Sequence, residues 1–220
     1  MVKFGTTTGM ALSMLLSLAV YALAFGWRFA VGFLLLLFVH EVGHLVAVNV
    51  VGLKASRPMF VPFLVAVISL RRPPVNAKME ANIAIAGPAA GTLSALVCMA
   101  IYLWTDSTLM LVLCYTACLL NLFNLIPCDP LDGGKIASAI SPRLWWVGSI
   151  CTGILYFYTH NFFVFVILLV SLFRIWRGDR DECGKSYYCL SLRQRLNVTW
   201  WYFGLLVVLG VMTLFVVELL

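Results

Sequence analysis

Five stretches of this 220-residue chain, roughly 8–26, 28–51, 82–104, 107–126 and 198–219, stay apolar for the length of a bilayer crossing. A membrane helix needs ~20 mostly apolar residues, with a range of ~17–25. A further apolar stretch, from Leu144 to Trp176, is too long for one crossing, and its only polar break is Thr159-His160-Asn161. It reads as a tight hairpin of two short spans. Composition removes the alternatives. The chain is 63% hydrophobic and 11% charged, whereas a soluble domain carries ~25% charged residues. No single globular core absorbs that much apolar surface, so a soluble enzyme, a disordered protein and a disulfide scaffold are excluded. The expected fold is an all-α polytopic membrane bundle of six to seven transmembrane helices. We expect one integral domain over residues 1–220, with a core at about 28–142 followed by the spans in 144–176 and 198–219.

Charge placement tests the count. With seven crossings, one face receives 14 of the 15 Lys and Arg residues, and only Arg28 lies opposite. Basic loops stay on the cytoplasmic side. The N-terminus and the basic loops are therefore expected in the cytoplasm, the C-terminus outside, and the cell membrane is the expected location. The net charge of +6 then records orientation, and no nucleic-acid partner is expected. All seven tryptophans fall at predicted span ends, where indole prefers to sit. The seven cysteines are odd in number, and five of them lie in or beside apolar segments, which fits reduced thiols. The first span is too long for a signal-peptide core and leads through Gly26-Trp27-Arg28 into the next, so it reads as an uncleaved span.

Ionisable residues inside a bilayer are costly and demand a reason. The second span contains His40-Glu41-Val42-Gly43-His44. On a helix His40 and His44 stand one turn apart and point the same way. Two imidazoles at that spacing can share one tetrahedral Zn²⁺, and Glu41 beside them can take a proton from the metal's water. His40 lies twelve residues past Arg28, which is ~18 Å into a hydrocarbon core of ~30 Å. The site is intramembrane.

Two histidines leave a catalytic zinc one protein ligand short. The fourth span ends in Asn124-Leu125-Ile126-Pro127-Cys128-Asp129-Pro130-Leu131-Asp132-Gly133-Gly134. Its prolines break the helix and its glycines let the backbone bend close to another element. Such irregular backbone is tolerated at depth only where protein or a wet cavity surrounds it. Asp132 is the best third ligand, with Asp129 and Cys128 as competitors; in the opposing reading Asp132 only caps the turn over 133–141.

These two motifs together resemble the site-2 protease family of intramembrane zinc metalloproteases, which carries HExxH on one membrane helix and an NxxPxxxxDG-type motif on a later one. Here they stand as His40–His44 and as Asn124, Pro127, Asp132 and Gly133. Gly87-Pro88-Ala89-Ala90-Gly91 is similar to the small-residue third helix of many members, and the resemblance covers about residues 28–142. It implies one zinc held by His40, His44 and Asp132, Glu41 as catalytic acid–base, and Asn124 near the cleft holding substrate backbone. It also implies cleavage in or near the transmembrane segment of single-span membrane proteins within the lipid bilayer. Asp129 departs from many relatives by adding a carboxylate beside the ligand motif. No inserted PDZ-like or nucleotide-sensing domain is expected. The alternative is a catalytically inactive membrane protein of the same fold that binds clients or metal.

Two further expectations concern packing. Cleavage requires an unwound substrate whose freed backbone groups find new partners. The apolar segment 58–70, within 53–71, fits either a re-entrant or interfacial β-hairpin that adds the substrate as a strand or a plain amphipathic surface helix. Gly87 and Gly91, spaced as GxxxG, read as ordinary close helix packing.

Overall fold

The computed structural model describes residues 7–55, 70, 72–141, 143–178 and 187–220. Among them are eight helices: α1 (Thr7–Phe25), α2 (Trp27–Val50), α3 (Ala77–Thr105), α4 (Thr108–Asn124), α5 (Asp132–Ile140), α6 (Leu144–Thr159), α7 (Phe162–Gly178) and α8 (Leu192–Leu219). Of these, α2, α3 and α8 are long and apolar enough to cross a membrane, while Gly9–Phe25, α4 and Phe162–Trp176 form shorter apolar helices. The chain is an integral membrane protein built from helices. Seven helices lie over the apolar runs of the sequence, three of them long enough to cross, and α5 is the short turn after the proline-broken segment. The 144–176 stretch is two helices. They meet at His160, which adopts a left-handed conformation (φ 46°) and donates its N–H to the Tyr156 carbonyl at 2.8 Å.

Two helices start earlier than their apolar runs, because polar side chains cap them. Asn76 Oδ1 accepts the Met79 N–H at 2.9 Å, so α3 begins at Ala77. Ser191 and Gln194 form a reciprocal pair, Ser191 N–H to Gln194 Oε1 at 3.0 Å and Gln194 N–H to Ser191 Oγ at 3.4 Å. That pattern is a capping box, and α8 starts there.

The helices group into two compact units. The first comprises Met1–Pro73, Ala86–Asn121 and Val208–Leu220. Here α1 and α2 form a hairpin through Gly26 (φ 84°), a backbone angle only glycine adopts freely. Tyr21, Ala30, Leu34 and Leu37 form its core, with Met14, Leu18 and Phe33 against it. The α3 and α4 segments are tied by Cys114 Sγ donating to the Ala95 carbonyl at 3.3 Å. Ala55 and Leu70 form an isolated antiparallel bridge; residues 56–69, where the hairpin or surface helix was expected, lie outside the described residues.

The second unit comprises Pro74–Ile85 and Leu122–Val207. The segment before α8 straps two helix ends within it. Ala77 N–H bonds the Tyr187 carbonyl at 3.1 Å, and the Tyr187 hydroxyl donates to Glu80 Oε2 at 2.8 Å. Burial first, and the Glu80 carboxylate second, push the Tyr187 phenol above its ordinary range, so it stays a donor. Arg195 donates to the carbonyls of Ile140 (2.9 Å) and Tyr188 (3.2 Å), neutralising the C-terminal end of α5. Inside the unit, Ser149 and Ser171 share a buried hydroxyl pair at 2.7 Å between α6 and α7. The six described cysteines are free thiols, four of them buried.

Candidate metal centre

The periodicity of α2 sets the first part of the site. His40 and His44 follow one another on one face, and their Nε2 atoms lie 3.1 Å apart, with the rings nearly perpendicular at 78°. Two nitrogens bound to one tetrahedral ion at ~2.0–2.1 Å would stand ~3.3 Å apart. The pair therefore presents both nitrogens at nearly the separation a shared zinc requires. His40 is buried, His44 is half-buried, and Glu41 between them is only 4% exposed.

Sequence reasoning missed the partner that orients this pair. Asn121, on α4, is fully buried, and its Oδ1 lies 2.9 Å from His40 Nδ1. Its Nδ2 donates to the Ala117 carbonyl at 2.7 Å, which leaves Oδ1 as the atom facing the imidazole. A signal was available: an asparagine inside an apolar span needs a polar partner in lipid.

Glycine in α3 makes room for the same groups. A Cβ on Gly87 would meet Nε2 and Cε1 of His44 and come within 2.8 Å of His40 Nε2. A Cβ on Gly91 would meet the Asn121 amide. The GxxxG pair thus does more than the ordinary packing expected of it: each glycine clears a polar side chain of the site. Gly87→Ala is expected to drive both imidazoles off their rotamers. At about 0.5–1.5 kcal/mol each for a ~30° departure, that weakens divalent-metal affinity by roughly tenfold or more. Competition with a chromophoric chelator on the purified protein checks it.

Asp132 sits in the first turn of α5 and is buried. Leu131 occupies the cap position, so Asp132 stands at the first helical residue, where a carboxylate also suits the positive end of the helix dipole. Lys135 Nζ lies 3.5 Å from Asp132 Oδ1. Gly133 and Gly134 permit the expected close approach: a Cβ on the first would meet the Leu125 and Ile126 carbonyls, and one on the second would lie 2.6 Å from the Cys128 carbonyl carbon. Asn124 is buried at the end of α4.

The two competing ligands are occupied elsewhere. Cys128 Sγ accepts a hydrogen bond from the Thr152 hydroxyl at 3.3 Å. The Asp129 carboxylate pairs with Arg174 Nη1 at 3.1 Å. Arg174 also lies over the Trp145 ring at 5.9 Å, and Trp145 Nε1 donates to the Gly134 carbonyl at 2.8 Å. Asp129 therefore anchors the loop through α7, and the first turn of α5 is held from α6. Arg174→Met leaves that carboxylate mostly buried without its countercharge and is expected to destabilise the protein by about 1–3 kcal/mol. Adding Asp129→Asn to Arg174→Met should recover part of the loss, measured as the thermal unfolding midpoint in detergent.

Within the first unit, His40 and His44 supply two imidazole nitrogens 3.1 Å apart; within the second, Asp132 supplies a buried carboxylate. Two neutral imidazoles and one carboxylate are a donor set suited to a catalytic zinc, with a fourth position left for water or substrate.

No protein-family model matches the sequence, and no curated protein matches it. Among solved structures, the chain is similar to the Site-2 Protease from Methanocaldococcus jannaschii, with a TM-score of 0.49 and 19% sequence identity, over 84% of this chain and 89% of that one.

Proposed function

We propose that this protein is an intramembrane zinc endopeptidase that hydrolyses a peptide bond in or near the transmembrane segment of single-span membrane proteins. The observation that carries the reading is the pair of imidazole nitrogens 3.1 Å apart on one apolar helix, with the buried Glu41 carboxylate in the same helical turn. His40, His44 and Asp132 are the zinc ligands in this reading. When bound, zinc would supply a Lewis acid that polarises the scissile carbonyl and activates a water for attack.

The chain's own residues do the rest. Glu41 takes the proton of the attacking water and delivers it to the leaving amine, as a buried carboxylate beside the ligands is placed to do. Asn124 holds substrate backbone near the reacting bond. The basic loops face the cytoplasm, because 14 of the 15 Lys and Arg residues fall on one side of a seven-crossing arrangement.

The test incubates detergent-purified protein with candidate single-span membrane proteins, with and without a zinc chelator, and maps the products by mass spectrometry. Chelator-sensitive cleavage within or beside the apolar segment is expected. Zinc bound at one per chain without cleavage of any substrate would instead favour a non-catalytic metal or client binder.

A further inference from the structure

We propose that Asn121 is a positioning residue that selects the metal-binding tautomer of His40. The inference rests on the zinc reading above and names a residue that neither sequence motif includes. A neutral imidazole carries one proton, and the nitrogen holding it cannot bind a metal. Whichever nitrogen meets a hydrogen-bond acceptor keeps the proton, and the other is left with its lone pair.

Three features of the first unit make Asn121 that acceptor. Its Nδ2 is committed to the Ala117 carbonyl at 2.7 Å on its own helix. Flipping the amide would set an oxygen against that carbonyl, so the orientation is determined. Its Oδ1 then accepts the His40 Nδ1 proton at 2.9 Å. Consequently Nε2 is the bare nitrogen of His40, and Nε2 is the atom standing 3.1 Å from His44 Nε2. The third feature is steric. Asn121 is 1% exposed, and a Cβ at Gly91 would fall on its amide, so α3 provides the space in which the amide is held.

Such outer partners of a metal-binding histidine fix ring orientation and raise ligand basicity, and losing one weakens metal affinity by ~10–100-fold. Asn121→Leu keeps the side chain's approximate size and removes the acceptor. Asn121→Asp keeps an acceptor in the same place, and Gly91→Ala displaces the amide without altering it.

The experiment measures zinc affinity by chelator competition on the full-length protein in detergent, for wild type and these variants. It is joined by ¹⁵N spectra of histidine-labelled, metal-free wild type, which report directly which His40 nitrogen is protonated, with His40→Ala assigning the signal. Expected are a protonated Nδ1 in the wild type, a loss of ~10–100-fold in affinity for Asn121→Leu, and smaller losses for Gly91→Ala and for Asn121→Asp, which keeps the acceptor toward His40 but sets its second oxygen against the Ala117 carbonyl. A generic packing role would not distinguish Asp from Leu in this way. Unchanged affinity in Asn121→Leu, or a His40 protonated on Nε2, overturns the inference while leaving the zinc reading intact. A wild type that binds no zinc overturns both. The tautomer is read on the wild type, so instability of Asn121→Leu does not decide the matter.

Discussion

Glu41→Gln is expected to retain zinc at wild-type stoichiometry and to lose peptide-bond cleavage by roughly 10²–10⁴-fold, the range a positioned general acid–base contributes. Glutamine has nearly the same shape and still fills the buried position between the histidines, so the ligands should keep their places. What it lacks is a carboxylate able to accept a proton from water and return it to the leaving amine. Single-turnover cleavage of one reconstituted substrate, read alongside metal content, separates the two effects. Loss of both zinc and activity would make Glu41 part of the metal's support. Retained turnover would remove it from the chemistry altogether.

The second large effect concerns the ligand that comes from far along the chain. Asp132→Ala takes away the only carboxylate of the proposed set. Structural zinc sites bind with about 10–16 kcal/mol, so one ligand's share implies a loss of roughly 10²–10⁴-fold in zinc affinity. Cleavage should vanish with the metal. The matched substitution Asp129→Ala is the control, because that carboxylate is engaged by Arg174 at 3.1 Å. It should cost stability and leave zinc affinity within a few-fold of wild type. If instead Asp129→Ala released the metal and Asp132→Ala did not, the ligand assignment between these neighbours would be reversed. Both proteins can be read in one chelator titration.

Part of this site is legible in the residues alone, for reasons of local geometry. The spacing of His40 and His44 places two imidazoles on one helical face whatever surrounds the helix. Prolines 127 and 130 forbid continued helix, so α4 stops at Asn124 and a separate α5 has to begin. Thr159-His160-Asn161 interrupts an apolar run, and the chain turns there. The pair Ser191 and Gln194 has capping-box spacing, and α8 starts there, six residues before its apolar run.

Other features were not legible, and lipid is the cause. In a soluble helix the polar face marks the outside. In a membrane bundle the outward side is as apolar as the inward one, so hydrophobicity does not say which side faces a neighbour. Leu34 is buried in the core while Leu35 beside it is 56% exposed, and nothing in their chemistry separates them. The residues alone establish the helical membrane class, the register of the histidine pair on α2 and the breaks at the prolines and at residues 159–161. Each follows from contacts within one or two turns of the same chain. Packing between helices settles that Asn121 meets His40, that Gly87 and Gly91 clear the polar side chains, and that Arg174 holds Asp129. Those are pairings between helices, set by rotation and depth in packed neighbours, and no periodicity along one helix encodes its partner's register.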